Sequence, residues 1–312
     1  MALPAVSPAR YRRITLFAVV ALAFIVLTGA AVRLTGSGLG CTDWPTCEQG
    51  RLAPGEITDA PAMIEFVNRL ITGLVSVAVI LAVAGAARRI PRRRDLVWLA
   101  AGLVAGVLGQ IVLGGLVVLF ELSPRLVMGH FLVSMLILWN AVVLHHRAGR
   151  PGGPVTPLVG RSLVQLARCI FVVGALVIFT GTVVTASGPH AGDTQATRLG
   201  LDVPDVARVH GLWVVLLVVL TLVLTVGSAR QAAPSSVQRA ARLLVVVLAA
   251  QAAIGYTQYF TGVPVVLVGF HILGAIGVWI AVVHLNLVVS GPPTPVPLPP
   301  GRGDRAVAGV AS

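Results

Sequence analysis

Charge is scarce in this chain. Only 11% of its 312 residues are charged, while 56% are hydrophobic. A water-soluble protein of this size carries far more charge, so a soluble globular protein is excluded. Lysine is absent: all 23 basic residues are arginine. Period-two alternation of apolar and polar residues is missing too, so long runs of Leu, Val and Ala must span as helices. The sequence predicts an all-α polytopic membrane protein with eight transmembrane spans, at roughly 14–32, 63–87, 96–119, 126–146, 164–186, 208–229, 242–260 and 265–289. Most of these runs reach the roughly 20 residues a bilayer demands; the seventh is marginal.

The net charge of +12 is a topology signal. Arg10, Arg12 and Arg13 precede span one, and Arg88, Arg89, Arg92, Arg93 and Arg94 separate spans two and three. Arg147, Arg150 and Arg161 separate four and five, and Arg230, Arg239 and Arg242 separate six and seven. The opposite loops hold Arg33, Arg51, Arg125 and Arg198 beside eight carboxylates. By the positive-inside rule both termini are cytoplasmic. A nucleic-acid partner is not expected, because the basic charge is spent on orientation. Span one has the look of a signal peptide, but its counterpart later in the chain argues against cleavage. The tail at 291–312, rich in Pro and Gly, is expected to be disordered.

The two halves repeat. Gln110, His130 and Asn68 correspond to Gln251, His271 and His210 at offsets of 141, 141 and 142 residues. Thr28-Gly29 resembles Thr180-Gly181 at an offset of 152. The expected plan is two tandem, pseudo-symmetric four-helix bundles, at 1–147 and 148–290, with the tail after them.

Three histidines sit about one turn into helices that start outside: His130 in VMGHFL, His210 in RVHGLW and His271 in GFHIL. Each is under ~10 Å deep at 1.5 Å rise per residue. Imidazole is costly in lipid and is seldom kept there without a partner. Paired imidazoles on facing helices grip haem iron from both faces. His210 and His271 therefore suit a six-coordinate b-type haem in the second half. In the first half His130 faces Asn68, whose carboxamide is a poor iron ligand, so that site has one strong ligand and an open or hydrogen-bonded face. Glu65, one turn before Asn68, points to proton handling or charge compensation; a plain pair with Arg69 is the alternative. Cys41 and Cys47, in an oxidising outer loop, are expected to form a disulfide, structural or redox-active. Cys169, inside a span, reads as a small apolar filler. His145, His146, His190 and His284 read as interfacial.

These motifs resemble the haem A synthases of the haem-copper oxidase assembly pathway. The matching strings are TGSGLGC and DWPTC in the first outer loop, IEFVNR opening span two, GQIVLGGLVV in span three, MGHF in span four, RVHG in span six and GFH in span eight. The likeness runs through all eight spans. It implies an oxidoreductase that converts the C8 methyl of haem O to a formyl group by successive hydroxylations. It further implies cofactor haem b on His210 and His271, and substrate haem held by His130 with Asn68 and Arg69. Glu65 would be the catalytic carboxylate. In that family the span-two segment often reads Glu, two residues, His, Arg; here Asn68 stands at the His place, so the second substrate-haem ligand is missing. The partners implied are haem O, an electron donor, haem O synthase and oxidase assembly factors, with a homo-oligomer as a further candidate. The absence of lysine suits a high-GC bacterial genome, and no presequence points to mitochondria, so the expected location is a bacterial plasma membrane.

Two rivals stand beside this reading. A quinol-oxidising b-type cytochrome would stack two haems using two histidines per helix. His130 and His145 fall about 60° apart, but His271 and His284 fall about 220° apart and so point to different faces. A haem-free transporter would need a charged or broken-helix site near the midplane, and none is seen.

Overall fold

The computed structural model describes residues 5–153 and 155–291, so nearly all of the tail expectation for 291–312 lies outside the described residues. Eight helices follow in order: α1 (Pro8–Leu34), α2 (Ala60–Arg88), α3 (Arg94–Leu119), α4 (Pro124–Ala148), α5 (Arg161–Ser187), α6 (Val203–Arg230), α7 (Ser235–Phe260) and α8 (Val265–Val288). Each is long and apolar enough to cross a membrane, and no strand is present among the described residues. The protein is an all-α polytopic membrane protein.

The helices run past their apolar stretches. α7, the marginal span, begins at Ser235 and takes Arg239 and Arg242 into its first turns; α1 takes in Arg10, Arg12 and Arg13. Arginine allows this because its long stem lies along apolar surface while the guanidinium reaches water. Starts are set by side-chain oxygens that take up free N–H groups. Ser7 accepts from Arg10 N–H at 3.3 Å, Asp59 from Ala62 N–H and Asp202 from Asp205 N–H, both at 3.2 Å. Proline stands in the first turn of α1, α2, α4 and α6, where it has no helical bond to lose.

In sequence order, neighbouring helices pack on each other: α1 on α2, α2 on α3, α3 on α4, and α4 back on α1; then α5 on α6, α6 on α7, α7 on α8, and α8 back on α5. The diagonal partners stand further apart: no Cα of α2 lies within 8 Å of one on α4, nor one of α6 within 8 Å of one on α8. α8 also packs on α1 and α4, and α4 on α5. Leu96, Leu103, Leu138 and Leu144 are fully buried in one core, and Ile170, Leu217, Leu224 and Leu244 in the other. The first core runs on into α8, where buried Trp279 donates its indole N–H to Met135 O at 2.8 Å and its ring lies 5.3 Å from Phe171.

Large apolar side chains cover the outside of the barrel of helices. Trp98 is 76% exposed and Leu212 70%, values that mark surfaces built for lipid. Cys169 is exposed on this surface. The expectation of a packed apolar filler is corrected: its position on α5 turns it outward.

Candidate functional site

His130, His210 and His271 lie near the starts of α4, α6 and α8, at the end of the molecule that carries the cysteine loop. Asn68 lies correspondingly early on α2. These four residues thus stand on the diagonal helices, Asn68 and His130 in one set of four and His210 and His271 in the other.

Each imidazole lies against a glycine of the adjacent helix. A β-carbon at Gly114 would come within 3.3 Å of His130 Cε1, one at Gly181 within 3.2 Å of His210 Cε1, and one at Gly255 within 3.0 Å of His271 Cε1. Even an alanine there would press on the ring edge, which would have to give by a few tenths of an ångström. Two glutamines tie α3 to α4 and α7 to α8 beside the histidines. Gln110 donates to His130 O at 2.8 Å, and Gln251 donates to His271 O at 2.8 Å. The Nδ1 atoms of His130 and His271 are buried without a hydrogen-bond partner. The Nε2 atoms of all three histidines make no hydrogen bond and are not sealed off. His210 differs at Nδ1, which lies 3.1 Å from Thr180 Oγ1. At the matching place Thr28 donates to Asn68 Oδ1 at 2.8 Å.

This donor set fits haem. Free Nε2 atoms, glycines against the ring edges and diagonal helices whose backbones stand apart are what a porphyrin site requires. The slot parts were only half visible in the sequence. Gln110, Gln251, Thr28 and Thr180 stood out as repeat markers without a role, and the three glycines carry no signal until the rings are seen on them.

Glu65 sits apart from the imidazoles in a polar knot under the cysteine loop. It is 6% exposed. Its Oε2 accepts from the Cys41 N–H at 2.8 Å, and its Oε1 takes Arg69 Nη2 at 2.6 Å and Nε at 3.2 Å. Arg69 also donates to Thr46 O at 2.8 Å. The pairing weighed as the plain alternative is formed, and the carboxylate does more than start a helix: it fastens the loop. Cys41 and Cys47 are disulfide-bonded. Trp44, between them, packs its ring on Gly115 of α3, next to the glycine that faces His130, so the loop lies over the first slot.

The remaining histidines are elsewhere. At the arginine-rich end His145 Nδ1 lies 3.1 Å from Thr15 Oγ1, and the rings of His146 and His284 are 6.1 Å apart on α4 and α8. These two helices pack directly on each other, unlike the diagonal pairs above. His190 Nε2 lies 2.9 Å from Val263 O, in the loops beside the slots.

Fold and site together define a polytopic helical membrane protein with three glycine-backed histidines near one end. Residues 12–283 match the family of cytochrome oxidase assembly proteins, COX15-CtaA, and the chain belongs to that family. It is 30% identical over 261 residues to a heme A synthase of Shouchella clausii, covering 78% of this chain and 82% of that one. It is 26% identical over 270 residues to a heme A synthase of Halalkalibacterium halodurans, covering 80% and 85%. A heme A synthase of Lysinibacillus sphaericus is 31% identical over 172 residues, a match that spans 55% of that protein.

Proposed function

We propose that this protein is a haem A synthase, an oxidoreductase that converts the C8 methyl of haem O to a formyl group by successive hydroxylations for use in cytochrome oxidase. The observation that carries the reading is the set of free Nε2 atoms on diagonal helices, in a chain of the cytochrome oxidase assembly family. The family membership and the relatives above favour it over a diffusive b-type electron carrier.

In this reading His210 and His271 hold a cofactor haem b, and His130 holds the substrate haem with Asn68 opposite and Arg69 near. The two sets of four helices are a duplicated scaffold with the slots toward the outside and both termini in the cytoplasm of a bacterial cell. When bound, the haem irons supply the redox chemistry.

The chain's own residues set that chemistry up. Thr180 Oγ1 lies 2.9 Å from Leu176 O. With its own proton given to the helix backbone, its oxygen would accept from His210 Nδ1–H, the tautomer this reading assigns. The proton is thereby held on Nδ1, and Nε2 keeps its lone pair for a metal. Gln110 and Gln251 fix the backbone under the other two ligands. Thr28 engages Asn68 Oδ1 and leaves Asn68 Nδ2 without a protein partner, so the first slot faces its ligand histidine with a hydrogen-bond donor. Glu65 holds the Trp44 loop over that slot, which excludes water, and supplies a carboxylate beside it for proton handling.

Co-expression with a source of haem O, followed by identification of the extracted haems, tests the proposal. Haem A should appear only when this chain is present. Extraction of unmodified haem alone from well-folded, haem-loaded protein would overturn it in favour of the electron carrier.

A further inference from the structure

A cation without a counter-ion sits where the two sets of helices meet. Arg33, in the last turn of α1, is half-buried. Its stem lies on Gly192, where a β-carbon would come 3.4 Å from Arg33 Cγ. Its Nε donates to His190 O, and that loop is tied to the first by Gly38 N–H donating to Gly192 O at 2.9 Å. Nη1 and Nη2 make no hydrogen bond, yet they are not sealed off. The charge of Arg198 is close enough to act on it. Arg198 itself donates to Pro189 O at 2.6 Å. Among the described residues no carboxylate lies within 4.0 Å of either guanidinium; at the same end Arg51, Arg69 and Arg208 are each ion-paired, and Arg125, which is not, is exposed.

Two like charges held together in a partly dry place are costly unless an anion joins them. The place is also specific. Leu34, the next residue, packs on Gly269, two residues before His271. His190 reaches Val263 O, just before α8. The free fork thus stands at the mouth between α1, the α5–α6 loop and the start of α8.

We propose that Arg33, supported by Arg198, is a carboxylate clamp that binds haem propionate groups at this mouth. A planar guanidinium with two free terminal nitrogens matches a carboxylate in bidentate fashion. The assignment rests on the haem reading given under Proposed function. It also explains why no acidic side chain among the described residues fills the place, since the ligand brings the charge. The propionates of the cofactor haem and of the substrate haem share this chemistry, and the histidine variants below tell them apart.

The test is a haem titration, read by absorbance, of full-length protein purified from haem-limited cells, with haem b and with its propionate dimethyl ester. Wild type should prefer the free acid by about tenfold or more, the scale of a charge-assisted pair. Arg33→Gln should lose that preference while binding the diester as wild type does. Arg33→Lys should recover part of it, and Arg198→Gln should weaken it in the same direction. In a His130→Ala background only the second slot is read, and in a His271→Ala background only the first; the slot in which Arg33→Gln matters is the one clamped. Equal binding of both haems by wild type, an unchanged preference in Arg33→Gln, or equal loss of the diester would overturn the clamp. The haem reading fails separately, if His210→Ala and His271→Ala keep full haem.

Discussion

Replacing Glu65 by Gln separates a chemical role from a mechanical one. The side chain keeps its shape and one acceptor oxygen, so it can still take the Cys41 N–H that lies 2.8 Å away. What it loses is the charge opposite Arg69, a contact of 2.6 Å between side chains 7% and 24% exposed. Arg69 is not left bare, because it retains the carbonyls of Thr46 and Asp43. The structural penalty therefore falls at about 1–2 kcal/mol, the low end for a charged hydrogen bond. If all of that were spent on loosening the loop, the closed population would fall by about 5–30-fold, since 1.4 kcal/mol is tenfold. Loss of an acid–base group costs about 10²–10⁴-fold. Haem A output relative to haem b content in membranes decides between the two. A fall of 10²-fold or more with haem b retained is expected. Arg69→Gln, which frees the same loop but leaves the carboxylate, should fall by no more than about 30-fold. Normal output from Glu65→Gln would refute the chemical role, and matched losses in both variants would reduce Glu65 to a fastener.

His210→Ala and His271→Ala should each remove one haem equivalent from protein that still reaches the membrane, read by the pyridine haemochrome spectrum against protein content. Thiol labelling should find Cys41 and Cys47 unreactive until a reductant is added; two reactive loop thiols in untreated protein would contradict the bonded state. Thr180→Val keeps the shape but removes the oxygen that accepts His210 Nδ1–H, and should weaken second-slot haem retention by about tenfold, with no change at the first slot.

The parts of this molecule differ in how plainly the sequence announces them. Membrane spans are read from apolar length alone, and all eight expected spans are present as helices. Their ends were underestimated where arginine continues the helix, at Arg10–Arg13 and at Arg239, because hydropathy sees the charge and not the stem. The Cys41–Cys47 bond needed only proximity in a short loop. The partner of Glu65 did not follow from helical spacing alone: Arg69 is found at i+4, but the Cys41 N–H comes from a loop 24 residues earlier. The glycines under the imidazoles were silent for a related reason. A glycine in a membrane helix has many uses, and only the ring on its surface picks out this one.

The two slots differ most tellingly at one position. Around His210 and around Asn68 the threonine is kept, the glycine after it is kept, and the diagonal helix across the slot still carries a histidine. Only the imidazole becomes a carboxamide. A pair of neutral imidazoles saturates iron and suits electron transfer, whereas one imidazole leaves a coordination position free for a reacting group. In the haem A synthase reading the substitution sorts the two sites by task. The first slot should give a high-spin, five-coordinate spectrum when loaded with substrate, and the second a low-spin one. Asn68→His should convert the first to low-spin and tighten substrate retention. Thr28, now donating to Asn68 Oδ1, would stand ready to meet the new Nδ1 as Thr180 meets His210. His130→Ala should abolish haem A formation and spare haem b. A purely low-spin, bis-imidazole spectrum from the substrate-loaded wild-type first slot would sink the argument, because His190 is held on Val263 O and His145, His146 and His284 lie at the opposite end.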